Sequence, residues 1–349
     1  NPFDKKTRLA VESARENIQL LVVLLDTNPY IWGKRRSDQN QPSSYKQNLK
    51  TLINFSQFLN HVLLFTNAYL SSNSKNKIAF IAAHPKESKF LFPHTSTDRV
   101  QSENATTTTT GEQDLLRIVR SDKATEEFFL KEINFNTLRN TVIKQLEETF
   151  TETDDELVVK GSSLAGAFSR ALCFINRLER EKPIGTTLNS RVLAFQVSPD
   201  ISMQYISIMN AIFSAQKMNV TLDSCILSTE DSSFLQQASY ITGGVYLKPL
   251  KQEGLIQYLL SVFIVDKSLR GLVQLPVQAT IDFRAACFET KKQIDLGYVC
   301  SVCLSIFDQH KWSCSTCGVK FEVLQQVRTG AIQPKPKPGS QPTNNTQSK

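Results

Sequence analysis

Four of the chain's seven cysteines fall in two pairs close together, in "CSVCLSIFDQHKWSCSTC". The spacing reads Cys300-x2-Cys303-x10-Cys314-x2-Cys317. A C-x2-C turn sets two thiolates side by side, and two such turns supply the four soft ligands of a tetrahedral zinc. Gly318, directly after the last cysteine, suits a tight turn in which φ becomes positive. With all four positions thiolate and no open coordination site, the ion would be structural rather than catalytic. One structural zinc is therefore the expected cofactor. His310 is a possible extra ligand, but a mid-loop position reads better as a surface histidine. A RING domain would need about eight ligands for its two zincs, and half of them are missing. Cys173, Cys225 and Cys287 stand alone in apolar surroundings and read as small core residues.

A second candidate closes the stretch "NIQLLVVLLD", Asn17 to Asp26. A carboxylate at the end of a buried strand either holds a cation or accepts hydrogen bonds from the amides of nearby loops. Other catalytic groups are scarce. The sequence contains no phosphate-binding P-loop, no dinucleotide fingerprint and no nucleophile elbow. Its four histidines, His61, His84, His94 and His310, are too scattered for an acid–base constellation. A protein without enzymatic activity is expected.

The composition, 40% hydrophobic and 21% charged over 349 residues, is that of a soluble globular protein with room for one large or two ordinary domains. No apolar run approaches the ~20 residues of a membrane helix. The first residues lack the apolar core of a secretory signal, which places the chain inside the cell and argues against disulfides. A net charge of +7 permits contact with nucleic acid or acidic proteins without demanding it. The tight basic runs, Lys34 to Arg36 and "PKPKP" at Pro334 to Pro338, read as solvated loops or, more sharply, as nuclear-import signals. The acidic run from Glu147 to Glu156 reads as a helix end and a polar loop. Within the cysteine segment Lys311 is the one cation of "LSIFDQHKWS". Phe307 and Trp312 could stack on bases, but beside a structural zinc they more often pack the small core. A nucleic-acid-binding zinc module is thus the competing function.

The elements that must position these groups follow from hydrophobic period. Asn17 to Leu25, "NKIAFIAAH", "SKFLFP", "RVLAFQV", "NVTLDSCIL" and "GVYLKP" read as six strands, the third an antiparallel edge. Helical spacing runs over Tyr45 to Leu70, Thr125 to Phe150, Ser163 to Leu178, Met203 to Met218, "SSFLQQASYI" and Leu255 to Phe263. Alternation of buried strands with amphipathic helices defines an α/β, doubly wound, mostly parallel six-stranded sheet with helices on both faces. The expected domain order is an N-terminal extension over 1–16, the sheet domain over 17–266 with a mobile Thr-rich insertion at 95–121, a linker over 267–292, the zinc module over 293–326 and a disordered tail over 327–349.

The strand ending on Asp26, the long first helix, "GSSLAGAFSRAL" and "TGGVYL" together resemble a von Willebrand factor A domain. That family often binds magnesium through D-x-S-x-S, a distant threonine and a second aspartate. Here Asp26 is present, Asn28 and Tyr30 occupy the serine positions, Ser162 stands in for the threonine, and Val197 falls where the second aspartate belongs. The resemblance implies a degenerate adhesion site without metal. A wider resemblance rests on "SSFLQQASYITGGVYLKPLKQEGLIQYLLSVFIVDKSLR", "IDFRAACFETKKQIDLGYVCSVCLSIF" and "YISIMNAIFSAQKMNV". From about Asn17 to Phe321 the chain is similar to the smaller A-domain/zinc-finger subunits of the TFIIH core, subunit four in yeasts, and a fungal origin is expected. That family implies a nuclear, non-catalytic scaffold subunit that pairs with the larger A-domain/zinc-finger subunit. It would serve RNA polymerase II transcription initiation and nucleotide excision repair, touching DNA at most indirectly, with no membrane and no small-molecule substrate.

Overall fold

The unbroken apolar run from Leu20 to Leu25 has no face to show to water, and β1 (Glu16–Asp26) accordingly lies inside the sheet. The computed structural model describes residues 16–40, 52–93, 128–129, 132–151, 161–267, 269–276, 285–290 and 293–321. The chain divides into two compact units, Asn1–Asp282 and Phe283–Lys349.

In the first unit, β1 is flanked by β2 (Lys77–Ala83) and β4 (Thr186–Gln196), both parallel to it, with Val23 opposite Phe80 and Val22 opposite Val192. Beyond β2 lies β3 (Ser88–Phe92), antiparallel as its short connection requires; beyond β4 lie β5 (Thr221–Ile226) and β6 (Tyr246–Leu247), both parallel. The order is β3-β2-β1-β4-β5-β6. Alternate residues of β1 feed two separate cores. Leu20, Val22 and Leu24 join the cluster that includes Phe168 of α4 (Leu164–Glu181), Ile212 of α5 (Tyr205–Lys217) and Leu235 of α6 (Ser233–Thr242). Leu21, Val23 and Leu25 join Trp32 of α1 (Pro29–Asn40), Phe58 of α2 (Phe55–Ser72), Leu138 of α3 (Phe135–Thr151) and Leu255 of α7 (Leu255–Tyr258), which a π-helical turn, Leu259–Phe263, continues. Helices therefore cover both faces, the von Willebrand A-like arrangement. No described helix is long and apolar enough to cross a membrane.

Several boundaries differ from the expectations. The long helix begins at Phe55 rather than near Tyr45, because Asn54 and Gln57 form a reciprocal cap: Gln57 N donates to Asn54 Oδ1 at 2.8 Å and Asn54 N to Gln57 Oε1 at 3.1 Å. Residues 45–51 lie outside the described ones. Helix α1 was not expected, and it corrects the reading of Lys34–Arg36 as a loop. Lys34 and Arg36 are exposed on that helix while Arg35 is buried. Strand β4 starts five residues early because its polar half, from Thr186, still pairs with β1 from Glu16. Cys225 and Cys287 are buried as expected; Cys173 is exposed, on the outer face of α4. Residues 1–15 of the expected N-terminal extension, the Thr-rich insertion and the Pro-rich tail fall outside the described residues, while Glu16, expected in the extension, opens β1.

The expected linker is not uniform. Arg270 is built into the first unit, its Nη1 and Nη2 donating to Asp223 Oδ1 and Oδ2 at 2.8 and 2.5 Å. In the second unit β7 (Ala285–Ala286) pairs antiparallel with β8 (Gln293–Ile294), and β9 (Tyr298–Val299) with β10 (Ile306–Phe307).

Candidate metal centre

The two cysteine turns of the second unit share one hydrogen-bond plan. In the first, Leu304 N donates to Cys300 O at 3.0 Å and Cys300 N to Ser305 O at 2.9 Å. In the second, Gly318 N donates to Cys314 O at 2.9 Å and Cys314 N to Val319 O at 2.8 Å. The four ligand atoms of Cys300, Cys303, Cys314 and Cys317 lie within 4.8 Å of one another. The Sγ of Cys300 is 3.7 Å from that of Cys317, and Cys303 Sγ is 3.5 Å from Cys314 Sγ. A tetrahedron with Zn–S bonds of ~2.3 Å has edges of about 3.8 Å, so these separations fit a shared ion. They are far beyond the ~2.05 Å of a disulfide.

The electrostatics agree. Backbone N–H groups of Cys303 and Val302 hold the Cys300 thiol below its usual range. At Cys317 the Val319 amide favours the thiolate, but desolvation and the sulfurs of Cys303, Cys314 and Cys300 push it up to about 12. Four thiolates this close need a cation among them. The four cysteines can therefore hold one metal ion, and a set of four soft donors suits zinc. Among the described residues no other group of three or more His, Cys, Asp or Glu is placed to do so. His310 is exposed, edge-on to the Tyr298 ring at 4.9 Å, and takes no part. Phe307 is buried against Cys300 and Cys314, with Phe288 and Phe321 alongside. Trp312, expected to pack this core as well, is instead 53% exposed. Lys311 pairs with Glu289 and lies over the Phe307 ring at 5.5 Å.

At the carboxyl end of the sheet, Asp26 is buried and both its oxygens are engaged. Oδ1 accepts Asn28 N at 3.2 Å; Oδ2 accepts Val197 N at 2.9 Å and Ser198 N at 2.6 Å. Burial raises this carboxyl above its ordinary value, and the amides of Ser198, Val197 and Asn28 pull it back. Asn28 is the N-cap of α1, its Oδ1 accepting Tyr30 N at 3.1 Å and Ile31 N at 3.4 Å. Tyr30 points partly to solvent, and Val197 contributes only its amide. Ser162 is buried, its carbonyl accepting Gln204 Nε2 at 2.9 Å. Thr27 Oγ1 and His84 Nε2 are buried without a hydrogen-bond partner, but they add a hydroxyl and an imidazole rather than carboxylates. A magnesium ion wants octahedral oxygen ligands, carboxylates foremost, and this set does not fit one.

Sequence reasoning missed two charged residues. Arg35 donates to Leu227 O and, at 3.3 Å, to Gln252 Oε1, tying α1 to the end of β5 and the approach to α7. Burial lowers its pKa to about 10, against the pull of the Asp26 charge. Asp223 sits inside β5 with Arg270, the Val245 amide at 2.9 Å and Arg191 at 3.9 Å. A lone aspartate in "TLDSCI" was the available signal, since a charge within a fully buried strand needs a partner.

The fold and the thiol cluster define an A-type domain joined to a four-cysteine module. The family described as transcription factor Tfb4 matches residues 18–318. The chain belongs to that family. It is 40% identical to the general transcription and DNA repair factor IIH subunit TFB4 of Arabidopsis thaliana, covering 90% of this chain and 92% of that one. It is 39% identical to general transcription factor IIH subunit 3 of Dictyostelium discoideum (91% and 93% covered) and 31% identical to TFB4 of Saccharomyces cerevisiae (96% and 96%). Identity to a plant and an amoeba above that to a yeast lends no support to a fungal origin. Among solved structures, the TFIIH p34 N-terminal domain superposes with a TM-score of 0.50 at 23% identity, covering 69% of this chain and 96% of that one. The relatives are named as subunits of general transcription and DNA repair factor IIH.

Proposed function

We propose that this chain is a non-catalytic scaffold of the TFIIH core in the nucleus, joining its A-type domain to the larger A-domain/zinc-finger subunit in transcription initiation and nucleotide excision repair. The observation that carries the reading is Asp26. Its carboxylate is taken up by three backbone amides from its own and a neighbouring loop, so this end of the sheet is fixed without a metal. A domain locked in this way suits constitutive association rather than cation-gated adhesion. The second unit holds one structural zinc through Cys300, Cys303, Cys314 and Cys317, which orders the module and leaves no coordination site for chemistry.

The competing reading, a nucleic-acid module, draws on the exposed Trp312. It is disfavoured because Lys311, the cation of the segment, is paired with Glu289 and laid on Phe307. One experiment separates the two: affinity purification of the tagged chain from nuclear extract at moderately high salt, followed by mass spectrometry. Near-stoichiometric TFIIH core subunits are the expected result. A chain recovered alone, with nucleic acid lost as salt rises, would move the assignment to the zinc module as a reader of DNA or RNA.

A further inference from the structure

The four thiols of the candidate metal centre are not equally sheltered. Cys300 and Cys314 are buried, Cys303 is half-buried and Cys317 is exposed. Cys303 Sγ lies 3.5 Å from Cys314 Sγ and 3.0 Å from Ser305 Oγ. Cys317 Sγ lies 3.7 Å from that of Cys300. Each of these close pairs joins one turn to the other. Cys287, the remaining cysteine of this unit, is buried and its thiol donates to Asp308 Oδ1 at 3.4 Å, so it is engaged elsewhere. Buried structural cysteines are inert, whereas an exposed thiolate beside a second sulfur is the arrangement in which oxidation ends in a disulfide. Metal coordination holds each sulfur as the thiolate, the form that reacts.

We propose that Cys317 and Cys300 form a peroxide-sensitive pair whose oxidation opens the four-cysteine module. The inference rests on the reading above that the four cysteines hold zinc. The Cys317 thiolate attacks one oxygen of hydrogen peroxide; the O–O bond breaks, hydroxide leaves and Cys317 becomes a sulfenic acid. The Cys300 thiolate then attacks the Cys317 sulfur; the S–S bond forms, the S–O bond breaks and a second hydroxide leaves. Two electrons pass from the two sulfurs to one peroxide. The sulfurs close from 3.7 Å to about 2.05 Å. Cys303 and Cys314 are then the remaining donors of a site that needs four, and the module unfolds as its ion departs.

The test titrates the full chain, purified with its metal, with hydrogen peroxide. Zinc release is read with a chromogenic chelator and cysteine pairing by mass spectrometry. Cys173, exposed on α4, is the internal reference for a thiol outside the module. One zinc per chain should leave in step with a Cys300–Cys317 disulfide and before Cys173 is oxidised, and a thiol reductant with added zinc should reverse it. Cys317→His keeps a four-ligand set of three thiolates and an imidazole, and should hold zinc but release it about tenfold more slowly or less. Zinc retained after Cys173 is oxidised overturns the inference and leaves the zinc reading standing. A different disulfide accompanying release overturns it too, as does wild-type release from a zinc-loaded Cys317→His. Should that variant fail to take up zinc, the order of oxidation within the wild type decides alone. A wild-type chain that binds no zinc before peroxide is added sinks both.

Discussion

Two buried aspartates show how differently one side-chain type can be used. Asp26 ends a strand and serves three amides; Asp223 lies within a strand and is neutralised by Arg270. Replacing Asp26 with alanine strands those amides away from water, at a cost of roughly 3 kcal/mol to the first unit. Denaturant melts of wild type and Asp26→Ala should each be the same with added magnesium as without it. A midpoint that rises with magnesium in the wild type would restore a cation to this site. Arg270→Met leaves the Asp223 carboxylate buried without its bidentate partner and should cost about 3 kcal/mol. Adding Asp223→Asn removes the stranded charge, so the double variant should recover part of that loss in the same melts. What the sequence hides is the partners of these carboxylates: the nearest hydrogen-bond donors to Asp26 beyond its own loop are 171 and 172 positions away, and Asp223 meets Arg270 across 47.

Elements obey local signals to the extent that their stability is local. The strands were readable because parallel strands covered on both faces must be continuously apolar, and β2 is buried at every residue. Helix α1 was not readable from period, since "PYIWGKRRSDQN" has no sustained apolar stripe. Its start was legible all the same: Asn28 as cap and Pro29 at the first helical position form a recognised helix opening. What keeps α1 in place, Trp32 stacked on Phe58 at 5.2 Å and Arg35 on the Leu227 carbonyl, is tertiary. The glycine pair after α6 separates two reasons for that residue. Gly243 has φ of 71° and open space around it, so Gly243→Ala should cost about 1 kcal/mol. A Cβ on Gly244 would meet the Leu222 carbonyl oxygen at 1.9 Å; neither backbone can yield without disturbing β5, and Gly244→Ala should cost roughly 3 kcal/mol. Urea melts of the two variants should rank them in that order, and equal losses would mean that β5 and the Gly244 backbone can separate.

At the scale of the molecule the two units differ in what holds them. The first has an apolar cluster on each face of its sheet, enough to stand on side-chain burial alone. Among its described residues the second has Cys300, Phe307 and Cys314 as its buried cluster, two of them from the four cysteines placed to hold a metal. So small a core cannot offset the conformational entropy of the chain around it, and the binding energy of a metal is then its folding energy. That is why the four-cysteine spacing was the most legible feature of the sequence: it is the stabilising element of the module, whereas the first unit spreads its stability over many residues no one of which is diagnostic. Chelation of the full chain by a strong zinc chelator should abolish amide protection from Tyr298 to Phe321 and leave that of β1, β2 and β4 intact. Cys300→Ser or Cys314→Ser should do the same without chelator. Zinc restored to the chelated wild type should return the protection with a stoichiometry of one ion per chain, while the serine variants should not respond. Persistence of protection in the metal-free module would show that its apolar contacts suffice; loss of protection in β1 as well would show that the two units fold as one.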